Sequence, residues 1–192
     1  MAKRTQSEKA ESRENIVAAA ATRIRENGIE STSIADVMRD AGMTHGGFYR
    51  HFESKEELVA AAITEAFKAG LHVFDEDLPG NAAQAGEYLA QYLSDQHVRE
   101  PAIGCPIPLL GAEVGRGGAA WSDALARGVA TASEKLEDGL DGLTRTEVLT
   151  LMSTLVGTLV IARGLGEGAF QREVVEASRA HVAPLLARAN KV

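Results

Sequence analysis

Apolar residues recur at helical spacing along most of the chain. Near its start, Ile16, Ala20 and Ile24 lie four residues apart, and the stripe ends at Asn27-Gly28, a pair typical of helix C-termini. No segment shows the sustained alternation of apolar and polar residues that marks a half-buried strand. The pattern predicts an all-α protein of about nine helices.

Three further elements follow the first helix at short intervals. Ser33 can cap a short helix that ends at Gly42, and Thr44 can cap a second short helix over residues 45–51. Ser54 begins a longer helix with the S-x-x-E capping pattern. Two short helices joined by a tight turn predict a helix-turn-helix, whose second helix presents its N-terminal residues to the major groove of DNA.

The rest of the chain predicts longer helices. They cover approximately residues 82–98, 105–115, 121–140, 144–163 and 170–189. The helix over 144–163 is apolar nearly all round, which predicts burial on most sides. We expect it to form a homodimer interface together with the helix over 170–189, with an ordinary monomer core as the alternative. Pro184 should weaken or kink the last helix.

Charge divides the 192-residue chain near the end of the helix-turn-helix. The formal net charge is -7, which taken whole argues mildly against a nucleic-acid partner. Residues 1–55, however, carry nine Lys or Arg and eight Asp or Glu, whereas residues 56–192 carry 11 and 19. We expect a DNA-binding domain over residues 1–55, with residues 1–12 frayed, and an effector-binding and dimerisation domain over residues 56–192.

Cysteine usage and hydropathy indicate the compartment. Cys105 is the single cysteine, so a reducing, cytoplasmic environment is the simplest interpretation. The N-terminus has no apolar core typical of a signal peptide, and the apolar stretch over 148–162 is shorter than the roughly 20 residues that span a bilayer. We therefore expect no membrane partner. No metal or cofactor motif is evident, and His97 and Cys105 lack a third catalytic group, which disfavours a small helical enzyme as the alternative.

One stretch, from Thr32 to Ile63, carries many residues at fixed spacing. These residues are Ala41, Gly42, Met43, Thr44, Gly46, Phe48, Tyr49, His51, Phe52, Ser54, Lys55 and Leu58. This stretch, about a sixth of the chain, resembles the DNA-binding region of the TetR family of bacterial transcriptional regulators. The resemblance implies an N-terminal three-helix DNA-binding domain and a dimer interface built from the last two helices.

The resemblance also implies roles for single residues. Thr44, Gly46, Tyr49, His51 and Lys55 fall on positions that contact DNA in the family, mostly at phosphates. From their chemistry, Thr44 and His45 are expected to contact base edges at the start of the second short helix. Gly46 and Gly47 would allow the backbone to approach DNA closely. The candidate DNA-binding residues are Thr32, Ser33, Thr44, His45, Gly46, Gly47, Tyr49, Arg50, His51 and Lys55.

Some of these residues admit a structural interpretation instead. Thr32 and Ser33 can serve only as helix caps, and His51 can be a structural hydrogen-bonding residue. Phe48 and Phe52 are expected in the core. The weakly basic segment with Lys3, Arg4, Lys9 and Arg13 can add phosphate contacts or be solvated and disordered.

The effector pocket is predicted from apolar residues with polar groups in the middle helices. The candidate residues are Tyr88, Tyr92, His97, Cys105, Leu109, Trp121 and Met152. Each of them can equally be an ordinary core residue. Cys105 precedes Pro106 at a predicted helix N-terminus, which can lower a thiol pKa, and it resembles a cysteine that responds to electrophiles or oxidants in some TetR-like regulators.

These expectations combine into one function. The chain is predicted to be a homodimeric DNA-binding regulator, a repressor by the family resemblance, that binds a pseudo-palindromic operator in double-stranded DNA. An unknown small-molecule effector would release it by shifting the spacing of its two recognition helices. The alternative is a repressor that senses electrophiles or oxidants through Cys105. In either case the protein would lie in the bacterial cytoplasm and on the nucleoid.

Overall fold

The computed structural model describes residues 6–75 and 90–189, except for the side chains of residues 69–75 and 103. These residues form helices and loops without a strand, which confirms the all-α class. The α-helices are α1 (Gln6–Asn27), α2 (Ile34–Asp40), α3 (Lys55–Asp75), α4 (Asp95–Arg99), α5 (Ile107–Val114), α6 (Ala119–Gly139), α7 (Arg145–Leu165) and α8 (Ala169–Ala189). Two 3₁₀ helices cover His45–Arg50, called the recognition helix below, and Pro101–Ile103.

Helix α1 begins earlier than the sequence suggested. It starts at Gln6, so the expectation of fraying over residues 1–12 is wrong for residues 6–12. The Ser12 hydroxyl donates to the carbonyl of Glu8 at 2.7 Å, and Arg13 forms an ion pair with Glu57 of α3 at 3.1 Å. These contacts hold the polar first turns of α1, which apolar periodicity alone could not reveal.

The turn of the helix-turn-helix depends on Gly42. Its φ is +69°, in the left-handed region that a Cβ disfavours, and the next amide, of Met43, donates to the carbonyl of Met38 at 2.8 Å. The turn is where the sequence predicted it. The recognition helix that follows was expected to be an α-helix but is a 3₁₀ helix. It is only six residues long and contains the poor α-helix formers Gly46 and Gly47, which explains the difference.

A second helix boundary also differs from the prediction. The helix expected over 82–98 is interrupted at Leu93, and residues 82–89 lie outside the described part of the chain. Ser94 begins α4 by accepting the amide of His97 at 3.1 Å. The Ser-Asp pair at 94–95 is an ordinary N-terminal signal that the apolar stripe through this region concealed.

Two clusters of buried side chains form the core. The first contains residues of α1, α2, the recognition helix and α3 together with Leu110, Val114, Ala124 and Ala132 of α5 and α6. The second joins α6, α7 and α8 around Leu155 and Leu159. Helices α5 and α6 therefore pack directly on the N-terminal helices. The predicted domain limits, 1–55 and 56–192, stay a prediction.

Helix α7 ends at Leu165, two residues beyond the predicted end. By length and composition alone, its 21 residues could cross a membrane. An 18-residue window of the helix has a mean hydropathy of 1.8, and a third of that window is buried in the protein. A core helix of a soluble protein meets the same criterion. Here Leu151, Leu155 and Leu159 are buried in the second cluster, and Val160 and Ile161 are exposed. Helix α8 continues for five residues past Pro184.

Candidate DNA interface and effector region

Phe48 anchors the recognition helix to the protein. Its side chain is fully buried and stacks on Phe52, with ring centroids 5.7 Å apart, while the Arg13 guanidinium lies 4.6 Å from the Phe52 centroid. Both phenylalanines thus belong to the core, as the sequence predicted. Arg13 is engaged within the protein, and Lys3 and Arg4 lie outside the described residues.

The opposite side of the recognition helix faces outward. Tyr49 meets Phe48 edge to face at 5.1 Å, yet it is 70% exposed, the largest exposed fraction among the large apolar side chains of the described residues. Thr44 is exposed and makes no capping hydrogen bond with its side chain. His45, Gly46 and Arg50 are also exposed, whereas Gly47 and His51 are half-buried. One surface therefore carries most of the predicted DNA-binding residues.

Thr32 and Ser33, which precede α2, differ in exposure. Thr32 is 4% exposed, and its hydroxyl donates to the carbonyl of Gly28 at 2.7 Å. Its expected role as a DNA contact is therefore corrected to a structural one. Ser33 is exposed and caps α2, since its hydroxyl accepts the amide of Asp36 at 3.1 Å.

The carboxylates of α2 form ion pairs with nearby arginines. The Ser33 hydroxyl, and after it Arg39, hold the pKa of Asp36 below its ordinary value. Arg23 of α1 forms an ion pair with Asp40, and this contact lowers the pKa of the Asp40 carboxyl. Both acids stay ionised at neutral pH but face cations of their own domain, which limits repulsion of a nearby phosphate backbone.

Lys55 lies at the first turn of α3, half-buried beside the loop that joins α1 and α2. Its ammonium group donates to the carbonyl of Ile29 at 3.4 Å. The amide of the same Ile29 donates to the Glu113 carboxylate of α5 at 2.6 Å. Lys55 therefore sits at a helix N-terminus, where phosphate is favoured, and also braces a loop. The sequence carried no signal for Glu113.

Tyr92, His97 and Cys105 meet in the second cluster. The ring of Tyr92 meets that of His97 edge to face at 4.8 Å, and His97 Nδ1 lies 2.6 Å from the Tyr92 carbonyl. His97 Nε2 accepts the amide of Cys105 at 3.1 Å, so Nδ1 carries the ring proton. Burial lowers the pKa of His97, which keeps the ring neutral at neutral pH. Three of the seven predicted effector residues thus form one group.

The pKa of the Cys105 thiol is raised, although the thiol precedes a helix N-terminus. It is half-buried, and burial raises its pKa, although a hydrogen bond with Tyr92, the Ile107 backbone and the charge of Arg163 act in the other direction. Burial therefore outweighs the lowering of the thiol pKa that a helix N-terminus can produce. Pro106 occupies the N-cap position of α5 and provides no side-chain cap.

The other predicted effector residues are dispersed. Leu109 lines a cleft between α4, α5 and the junction of α7 with α8, and Met152 touches both core clusters. Trp121 packs on the first cluster and donates its indole N–H to the carbonyl of Glu56 in α3 at 3.2 Å. Tyr88 lies outside the described residues. Sequence reasoning missed Arg163, which donates to the carbonyls of His97 and Val98.

Comparison with known proteins agrees with this arrangement. Residues 16–62 match the family model described as bacterial regulatory proteins, tetR family. The HTH-type transcriptional regulator TtgR of Pseudomonas putida is 36% identical over 73 residues, which cover 38% of this chain and 35% of that protein. The chain thus spans about a third of the length of this curated relative.

A longer match and the solved structures extend the similarity to most of the chain. The uncharacterized HTH-type transcriptional regulator MT0206 of Mycobacterium tuberculosis (strain CDC 1551 / Oshkosh) is 30% identical over 174 residues, covering 79% of this chain and 84% of that protein. A TetR regulator from Chloroflexus aurantiacus J-10-FL has the same fold, with a TM-score of 0.76, 24% identity and coverage of 95% of this chain and 98% of that one. For reduced NemR from Escherichia coli the TM-score is 0.71 and the identity 24%, with coverage of 91% and 97%. The chain belongs to the TetR family of bacterial regulatory proteins.

Proposed function

We propose that the protein binds double-stranded DNA through the surface of the recognition helix and regulates transcription. One observation carries the proposal: the helix buries Phe48 completely while the neighbouring Tyr49 stays 70% exposed beside Thr44, His45 and Arg50. A rigid element with hydroxyl, imidazole and guanidinium groups on one side can contact phosphates and base edges. Because residues 1–55 are nearly neutral, placed contacts must contribute more than bulk charge.

The test compares three variants on DNA from the region upstream of the protein's own gene. Tyr49→Phe removes only the hydroxyl, Tyr49→Ala removes the side chain, and Arg127→Ala removes an exposed cation on α6 as the matched control. A hydrogen bond to a charged group is worth about 1.5–3 kcal/mol, so we expect about a tenfold or larger loss of affinity for both Tyr49 variants.

Salt dependence separates phosphate contacts from base contacts in the same assay. Arg50→Ala should reduce the slope of log affinity against log salt by about one, as expected for a lost phosphate contact. Arg127→Ala should leave both slope and affinity unchanged. DNA affinity is measured by fluorescence anisotropy. If Tyr49→Ala and Arg50→Ala each bound DNA with wild-type affinity, the proposed surface would be contradicted.

The functional unit is proposed to be a dimer formed by α7 and α8. The exposed large apolar side chains of the described residues are concentrated there: Leu149, Val160, Ile161, Leu165 and Phe170. A Cβ placed on Gly157 of α7 would meet nothing within 4 Å, so another helix can approach closely at this point. A two-fold dimer places its recognition helices about 34–36 Å apart, one turn of DNA, and fits a pseudo-palindromic operator.

The regulatory response is proposed to be release of DNA on binding of a small effector. Helices α5 and α6 support this role because they contribute to the first core cluster beside the N-terminal helices and both also contact α7. A ligand that prefers one arrangement of these helices shifts the population of DNA-binding geometries. Adding effector should lower DNA affinity without dissociating the dimer, a result that sedimentation and anisotropy check together.

Thiol sensing through Cys105 has less support than binding of an effector, because burial disfavours the thiolate that reacts. The test is direct. A thiol-reactive electrophile should leave DNA affinity unchanged over the time of a binding assay in the wild type and in Cys105→Ser alike. Loss of affinity in the wild type only would reverse this preference.

A further inference from the structure

One cleft combines an apolar floor with an excess of guanidinium groups. It has a volume of about 480 Å³ and lies between α4, α5, the end of α7 and the start of α8. Its floor includes Val98, Leu109 and Ala162, and its charged lining consists of Asp95, Arg99, Arg163, Glu167 and Arg172, together called the arginine cleft. Ligand sites for small molecules typically have about 300–1,000 Å³ and such mixed linings.

Arg163 is a half-buried cation without a carboxylate partner in the described residues. Its Nε donates to the carbonyl of Val98 at 3.1 Å and its Nη2 to that of His97 at 2.7 Å. Burial lowers the pKa of Arg163, but a guanidinium stays protonated at neutral pH. A guanidinium carries five N–H groups, so three of those on Arg163 remain for a ligand.

The other charges in the cleft set the charge of the ligand. Arg99 divides its interaction between Asp95 and Glu167, at 3.6 Å to each, while the exposed Arg172 forms no ion pair within the described residues. Three guanidinium groups thus face two carboxylates, which leaves one positive charge in excess. The two carboxylates repel a dianion such as phosphate, whereas a single carboxylate matches both the excess charge and the planar geometry of guanidinium.

We propose that the arginine cleft binds an amphipathic organic monocarboxylate, with the carboxylate at Arg163 and Arg172 and the apolar part on Val98 and Leu109. The inference rests on the proposed function in treating this ligand as an effector. Hydrogen bonds connect the cleft to α5, which packs on the N-terminal helices. Arg163 donates to the carbonyl of His97, and the His97 ring accepts the amide of Cys105 just before α5. Binding itself does not depend on that function.

The first experiment measures binding without DNA. The probe is 4-phenylbutyrate, and its amide, which has the same shape without the charge, is the control ligand. By isothermal titration calorimetry we expect the carboxylate to bind at least tenfold more tightly than the amide. Equal affinity for the two ligands, or competition by inorganic phosphate at the same concentration as the probe, would overturn the proposal.

Three variants locate the probe. Arg163→Gln should weaken binding of 4-phenylbutyrate more than tenfold and Arg172→Gln about three- to tenfold, while Arg127→Gln on α6 should bind like the wild type. Arg172 is exposed, so its variant keeps the test decisive even where Arg163→Gln fails to fold. Unchanged binding in Arg172→Gln would contradict the assignment of the carboxylate.

A second measurement distinguishes the site from its role. DNA affinity is measured with and without saturating probe, in the wild type and in Arg172→Gln. We expect a loss of affinity that requires about three- to tenfold more probe in the variant. Tight binding of the carboxylate with no change in DNA affinity would leave the site intact and refute the effector role, whereas failure of all DNA binding would refute the proposed function instead.

Discussion

At the scale of single residues, neighbours in sequence can have opposite environments. Phe48 is fully buried and Tyr49 is 70% exposed, although both are aromatic and adjacent. The same contrast separates Thr32, whose hydroxyl is used inside the protein, from the exposed Ser33. What such a residue does is therefore determined by whether its side chain meets the core or the solvent.

Gly104 is required by close contact with the His97 ring. A Cβ at this position would lie 1.9 Å from His97 Nε2, the atom that accepts the amide of Cys105. We expect Gly104→Ala to lower the free energy of unfolding by about 1–3 kcal/mol, the usual cost of overpacking. Gly164→Ala, where a Cβ meets nothing within 4 Å, is the matched control. Equal urea midpoints for the two variants would contradict this packing.

Glu147 makes stability depend on acid pH. The amide of Thr144, then Arg188 and the Thr144 hydroxyl, lower the pKa of Glu147 from 4.5 to about 2. Because the pKa is lower in the folded state, the contribution of Glu147 is complete above about pH 4.5 and is lost as the pH falls towards about 2. The stability difference between wild type and Glu147→Gln should shrink over this range.

The comparison of Glu147→Gln with wild type is made by urea unfolding at several pH values. Glu134→Gln, an exposed carboxyl of α6, serves as the control and should show no such trend. A difference between wild type and Glu147→Gln that stays constant from about pH 5 to pH 2 would refute the capping role.

At the scale of elements, α5 joins the two parts of the molecule. Its N-terminus follows Cys105, and near its C-terminus Glu113 binds the loop between α1 and α2. Helix α6 adds a second connection, where Trp121 donates to the carbonyl of Glu56. Helices α5 and α6 thus connect the N-terminal helices to the rest of the molecule.

Glu113→Ala removes the acceptor of the Ile29 amide and should cost about 1–3 kcal/mol, because a buried donor is left without a partner. Ile29 is 1% exposed, so water cannot readily replace the carboxylate. Glu113→Gln keeps an acceptor oxygen and should lose less stability. Urea unfolding of both variants checks the order, and Glu134→Ala provides the control. Equal losses in Glu113→Ala and Glu134→Ala would show that the contact contributes nothing.

At the scale of the whole molecule, the distribution of charge and apolar surface fits a DNA-binding dimer. The acidic residues lie mostly after residue 55, so DNA repels the body and favours presentation of the recognition helix. The exposed apolar side chains of α7 and α8 form the contrasting surface that a second copy would cover.

Ile161 tests that surface because it is 52% exposed in the protomer. Ile161→Asp should leave helicity unchanged and convert the dimer to a monomer, since a charge would be buried without a partner in the interface. Ala126→Asp on α6 introduces the same charge at an exposed site and should stay dimeric. Sedimentation velocity distinguishes the two outcomes, and a dimeric Ile161→Asp would exclude this part of α7 from the interface.

The sequence alone determined the all-α class, the turn at Gly42, the capping of α2 by Ser33 and of α3 by Ser54, and the stretch that carries the family resemblance, because each depends on residues close together in the chain. The burial of Thr32, the raised pKa of Cys105 and the hydrogen bond between Ile29 and Glu113 are visible only in the folded protein. The fold produces each of them. It also brought Arg99, Arg163 and Arg172 to one cleft. These features depend on contacts between residues far apart in the chain, and helical periodicity specifies a buried side but not its partner.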